Sequence, residues 1–160
     1  ELPALQEARA YSSHRNYSAA LEIYTSILPT IDPQTIAYSH VLLEYAQCLI
    51  ESVSYEAEVG YRRALQLRQQ CEGSDADEDL EIAWDCLETC RANLEVVCDR
   101  ERLCEVHKGL GDVHSLVNRF EDALKEYHRA YEYCDSPDAS LELLECLAEC
   151  HRSMGEHEEA

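Results

Sequence analysis

Lysine is almost missing from this chain: among 160 residues only Lys108 and Lys125 carry it, and all basic side chains number 13 against 33 acidic ones. The resulting formal charge of −20 repels phosphate, so it argues against direct nucleic-acid binding and against an anionic membrane surface. Cationic partners are the counterpart such a field attracts. Glycine is also scarce, at five residues, and no Gly-rich phosphate loop, nucleophile elbow or HExxH motif occurs. Enzyme chemistry therefore has no visible seat, and no cofactor or metal is expected. No apolar run approaches the roughly twenty residues of a membrane-spanning helix, and no signal-like start is present. An initiator Met is missing as well. The chain begins inside a helical pattern and stops at Ala160, where a further helix is due, so it reads as a fragment of a longer protein.

Cysteine, by contrast, is plentiful, with nine residues. Cys86/Cys90 and Cys146/Cys150 are spaced i,i+4 on helical patterns, and matched CxxC pairs, the usual zinc signature, are absent. An odd count without a secretion signal points to reduced thiols that pack as small hydrophobes.

Unlike a disordered acidic tail, the chain is 46% hydrophobic, and its apolar residues recur with helical period. A local pattern appears three times: a turn residue and a ring side chain followed three residues later by Ala. The copies are Asn16-Tyr17 to Ala20, Arg119-Phe120 to Ala123, and a weaker Glu156-His157 to Ala160. Around the middle copy it widens, with Gly111 twelve residues before Ala123, Tyr127 four after it and Ala130 seven after it. This is the tetratricopeptide pattern of stacked helical hairpins, in which small residues sit where two antiparallel helices cross. The first copy keeps Ala8, Ala20, Tyr24 and Ile27 at the same offsets.

The expected fold is all-α: a single tetratricopeptide-repeat solenoid domain over residues 1–160. Residues 1–30 form repeat one, 101–134 repeat three, and 138–160 the start of repeat four, whose first helix is expected over 138–154. Asp32-Pro33 is a good cap and first-turn pair, so a helix is expected from Pro33 to about Ser52. Residues 72–79 (EGSDADED) look like an acidic loop, and a strong helix follows from near Glu78. Ala20 and Ala123 lie 103 residues apart, two repeat lengths with a surplus close to one more. Repeat two is therefore expected to pair 33–52 with 78–100, with 54–77 inserted between them. In the alternative, 54–70 is the second helix and 78–100 an extra one.

The order of long helix, acidic break, DLEIAWDCLETCR (79–91) and regular repeat resembles the NASP-type histone chaperones, the SHNi-TPR family, whose second repeat is broken by an acidic insertion. YSHVLLEYAQ (38–47) and GLGDVHSLVNRFEDALKEYHRAYE (109–132) carry the rest of the likeness, which covers essentially the whole chain. The insertion here is shorter than is usual for that family. The resemblance implies a nuclear protein, with shuttling to the cytoplasm left open, that binds core histones three and four, chiefly through a histone three segment.

In stacked hairpins the first helices line the concave face. By that register the groove takes Glu105, Lys108, Asp112 and Ser115 from repeat three and Glu142, Glu145, Glu149 and Arg152 from repeat four, with His40, Leu43 and Glu44 from repeat two. Carboxylates there can receive a partner's Arg side chains bidentately. For each one singly, a solvated helix face explains the residue as well. Trp84, the only Trp, is expected to pack in the core, as are Gly111, Ala123 and Tyr127. His107 and His114 are expected to pack between helices. A co-chaperone clamp for acidic peptides would need Lys and Arg in the groove, so the sign of the charge is wrong for it. A scaffold module for another basic or helical peptide remains the alternative function, and a homodimer stays open.

Overall fold

The computed structural model describes residues 3–67 and 75–159, and every regular element among these is a helix, without a strand. The described α-helices are α1 (Pro3–Ser13), α2 (Tyr17–Ile27), α3 (Ile36–Leu67), α4 (Asp75–Val97), α5 (Arg100–Leu116), α6 (Phe120–Tyr133) and α7 (Pro137–Glu159). A single 3-10 turn, Leu28–Thr30, carries Pro29 after α2. No helix is long and apolar enough to cross a membrane among the described residues. The chain divides into two compact units, residues 1–86 and 87–160, the division falling within α4.

In the first unit α1 packs on α2 and α2 on α3. Ala8 of α1 and Ala20 of α2, both fully buried, let the first two helices approach, and Leu5, Tyr24, Ile27, Val41 and Cys48 complete the cluster. In the second unit α5 packs on α6 and α6 on α7, around Cys104, Ala123, Tyr127, Ala130, Leu143, Leu147 and Cys150. Gly111 is required at the α5–α6 crossing, because a Cβ there would lie 2.5 Å from the Tyr127 ring. Along α4 the residues Leu80, Ala83, Leu87, Cys90 and Leu94 are buried at the 3–4 spacing of one helix face.

Three helices end in the same way. Arg15, Cys98 and Asn118 take left-handed φ values of 60°, 55° and 60° after α1, α4 and α5. At each, a six-residue backbone bond closes the end: Asn16 N–H to the Tyr11 carbonyl (2.9 Å), Asp99 to Leu94 (3.3 Å) and Arg119 to His114 (2.8 Å). These are Schellman turns without the glycine that usually occupies them.

The structure departs from the sequence expectations at four places. Asp32-Pro33 forms a turn, with the Asp32 carboxylate accepting from the Gln34 N–H at 2.9 Å, and α3 starts only at Ile36, where the Thr35 hydroxyl accepts from the Tyr38 N–H at 3.3 Å. α3 does not stop at Ser52 but continues to Leu67, so the first part of the expected insertion 54–77 belongs to the same helix. Only Gly60 interrupts the helix formers there, and one glycine costs about 1 kcal/mol, too little to end a helix. Of the expected acidic loop, residues 72–74 lie outside the described residues, while α4 already spans 75–79, and the charges of Asp77 and Glu78 favour the positive end of the helix dipole. α7 likewise runs unbroken through Gly155 to Glu159, past the expected end at 154, and Ala160 of the third pattern copy lies outside the described residues.

Candidate functional site

Each unit places a carboxylate from one helix within reach of both a tyrosine and a cation. In the first unit the carboxylate is Glu44 of α3. Arg9 of α1 grips it bidentately, Nε to Oε2 at 2.9 Å and Nη2 to Oε1 at 2.8 Å, and the Tyr24 hydroxyl donates to Oε2 at 3.3 Å. Burial and the Glu44 charge push the Tyr24 hydroxyl well above the ordinary tyrosine range. Ser12 adds a longer bond to Glu51 at 3.4 Å. Together these side chains line an open cleft of about 400 Å³ that reaches Cys48, whose thiol burial pushes up to about 11. His40 lies half-buried one turn before Glu44 on α3.

The second unit builds the same device between α5, α6 and α7. Tyr127 donates to Asp112 Oδ1 at 2.7 Å, and Lys108 donates to Asp112 Oδ2 at 3.1 Å while its Nζ stands 3.2 Å from Glu142 Oε1 on α7. Burial alone would lower the Lys108 ammonium, but the Asp112 and Glu142 charges outweigh it and hold the group above its ordinary range. Ser115 lies in hydrogen-bonding reach of Cys150, as Ser12 does of Cys48. Tyrosine, carboxylate, cation and serine–cysteine pair thus recur in the two units.

Among the groove residues expected from the register, the structure brings Asp112 and Glu142 together with Lys108, whereas Ser115 faces Cys150. Glu145 and Glu149 are exposed on α7, the latter paired with Arg152 one turn on. Glu105 is exposed on α5 and helps line a second cavity of about 490 Å³ with Glu101, Cys104, Tyr133 and Cys134. Glu44 and His40 belong to the first unit. Asp112 and Glu44 each use both oxygens on side chains of their own chain, while Glu142 and Glu149 each pair with one cation, Lys108 and Arg152.

The chain matches no family model and no curated protein.

Sequence reasoning missed Arg9, which no repeat register singles out as a partner of Glu44, and it misplaced Trp84. The Trp84 side chain is 39% exposed, a correction to its expected core role. It follows Ala83 on α4, and a step of about 100° around the helix turns it off the buried stripe. His107 is 3% exposed, its Nδ1 lies 2.7 Å from Glu126 Oε2, and its ring stacks on Tyr133 at 5.5 Å. Among the described residues no three His, Cys, Asp or Glu side chains converge in an arrangement that could hold a metal, and the eight described cysteines are free thiols.

Proposed function

We propose that this chain is a tetratricopeptide-repeat histone chaperone of the NASP type, which holds a basic segment of histone three, and through it the histone three and four pair, on acidic first-helix faces. The supporting observation is that each unit already seats a cationic side chain of the kind such a segment carries, Arg9 on Glu44 and Lys108 between Asp112 and Glu142. In this reading Glu44 is the floor of the acidic face in the first unit and Asp112 that of the second, where the exposed Glu105, Glu142, Glu145 and Glu149 meet the incoming charges. Charge-assisted bonds of this kind contribute about 1.5–3 kcal/mol each when shielded from water and far less when exposed. Shielding the histone charge until handover requires neither ATP nor metal, and the function places the protein in the nucleus. The reading adopts the solenoid register of the sequence, with Gly111, Ala123 and Tyr127 as the packing residues of its most regular hairpin.

The decisive experiment titrates the protein with overlapping histone three peptides, the intact histone three and four pair, and an acidic chaperone-tail peptide, at two salt concentrations. Segment-specific binding that survives moderate salt is the expected outcome. Weak binding to every basic peptide, lost on adding salt, would leave an adaptor for unspecified basic partners. Glu145→Lys combined with Glu149→Lys is expected to weaken histone binding more than tenfold with unchanged helicity by circular dichroism. Unchanged affinity would remove α7 from the site.

A further inference from the structure

We propose that Cys104 and Cys134 are a modification site: a thiol pair that closes to a disulfide when a low-molecular-weight disulfide of the glutathione class enters the cavity they line. The two sulfurs come from different elements of the second unit. Cys104 sits on α5, 8% exposed, in the buried cluster. Cys134 caps the end of α6 in extended backbone, φ −77° and ψ 121°, and packs against that cluster. The Cys104 thiol is within hydrogen-bonding contact of Cys134, and the Cys134 Sγ also approaches the Ser136 carbonyl at 3.3 Å and the Ser140 hydroxyl at 3.4 Å. Both cysteines line the partly open cavity of about 490 Å³ between α5 and the α6–α7 turn.

The two thiols line one cavity, and the non-helical backbone at Cys134 can supply the movement that disulfide geometry requires. Burial, reinforced by the neighbouring Cys134, pushes the Cys104 thiol up to about 12, so the first attack falls to Cys134. Its thiolate displaces one glutathione thiolate from glutathione disulfide and becomes a mixed disulfide. Cys104 then gives up its proton and attacks the Cys134 sulfur, expelling the second glutathione thiolate. Two protein thiols are oxidised, one glutathione disulfide is reduced to two glutathiones, and each departing thiolate takes up one of the cysteine protons. The bond would tie the N-terminal part of α5 to the turn that launches α7, closing a long loop of chain.

The test incubates the full chain with glutathione disulfide under native conditions, then blocks free thiols and maps peptides without reduction. The expected result is a Cys104–Cys134 linked peptide, its mass short by two hydrogens, and a raised melting temperature that reverts on reduction. In the Cys134→Ser chain, shown folded by circular dichroism, Cys104 is expected to stay a thiol. Two unlinked thiols at plateau in the wild-type chain would overturn the proposal. So would a Cys104 glutathione adduct that forms in Cys134→Ser as fast as Cys104 is consumed in the wild type.

Discussion

Glu126 shows how a single side chain ties the second unit to pH. Burial would raise its carboxyl, but the hydrogen bond and charge of His107, together with Arg129, outweigh that and hold it below the usual range. A carboxyl depressed in the folded state contributes stability that is fully present above its unfolded value of about 4.5 and is lost as pH falls through the lower folded value. His114 acts in the same direction, because burial and Arg119 lower it, so its contribution starts to fade below about pH 6.5. Urea unfolding measured between pH 7 and pH 3.5 is expected to show a steeper acid loss for the wild type than for Glu126→Gln. Parallel curves would mean that the His107 contact carries no pH dependence.

At the scale of elements, the Schellman ends give the sharpest prediction. Arg15 occupies a left-handed position with an ordinary side chain, a conformation that disfavours a Cβ by roughly 1–2 kcal/mol. Arg15→Gly removes that strain while loosening the unfolded chain, so a net gain of about 1 kcal/mol or less is expected in thermal unfolding. Gly111→Ala should do the opposite: the new methyl meets Tyr127 at 2.5 Å and must displace its ring, at a loss of about 1–3 kcal/mol in denaturant unfolding. The Gly111 position was legible in the sequence because tight crossings demand small residues at fixed offsets, and the Arg119-Phe120 to Ala123 pattern likewise marked where α6 begins. The left-handed ends were not, since Arg15 and Cys98 carry no compositional sign of a turn. Nor was the length of α3, because helix formers on both sides of Gly60 override a single weak breaker. In the candidate site, periodicity placed Asp112 and Glu142 on their helices. It also placed Lys108 on the Asp112 face, but it could not show that Lys108 reaches Glu142 or that Arg9 holds Glu44, since those contacts are set by how separate helices meet.

Across the whole molecule the charge of −20 acts on folding as well as on binding. Like charges on a compact chain repel, and salt screens that repulsion over about 8–10 Å at physiological strength. The melting temperature is therefore expected to rise between 20 mM and 300 mM sodium chloride, while affinity for a basic peptide falls over the same range. A flat thermal response would show that the internal pairs on Glu44, Asp112 and Glu126 already balance the field locally.

The partly uncovered Trp84 has one further consequence. As the sole indole in the chain, it gives the first unit an intrinsic optical label, whose emission colour and quenching by iodide report how much water reaches that side of α4. A partner that settles over Trp84 would announce itself without a dye, through a blue shift and a loss of iodide quenching.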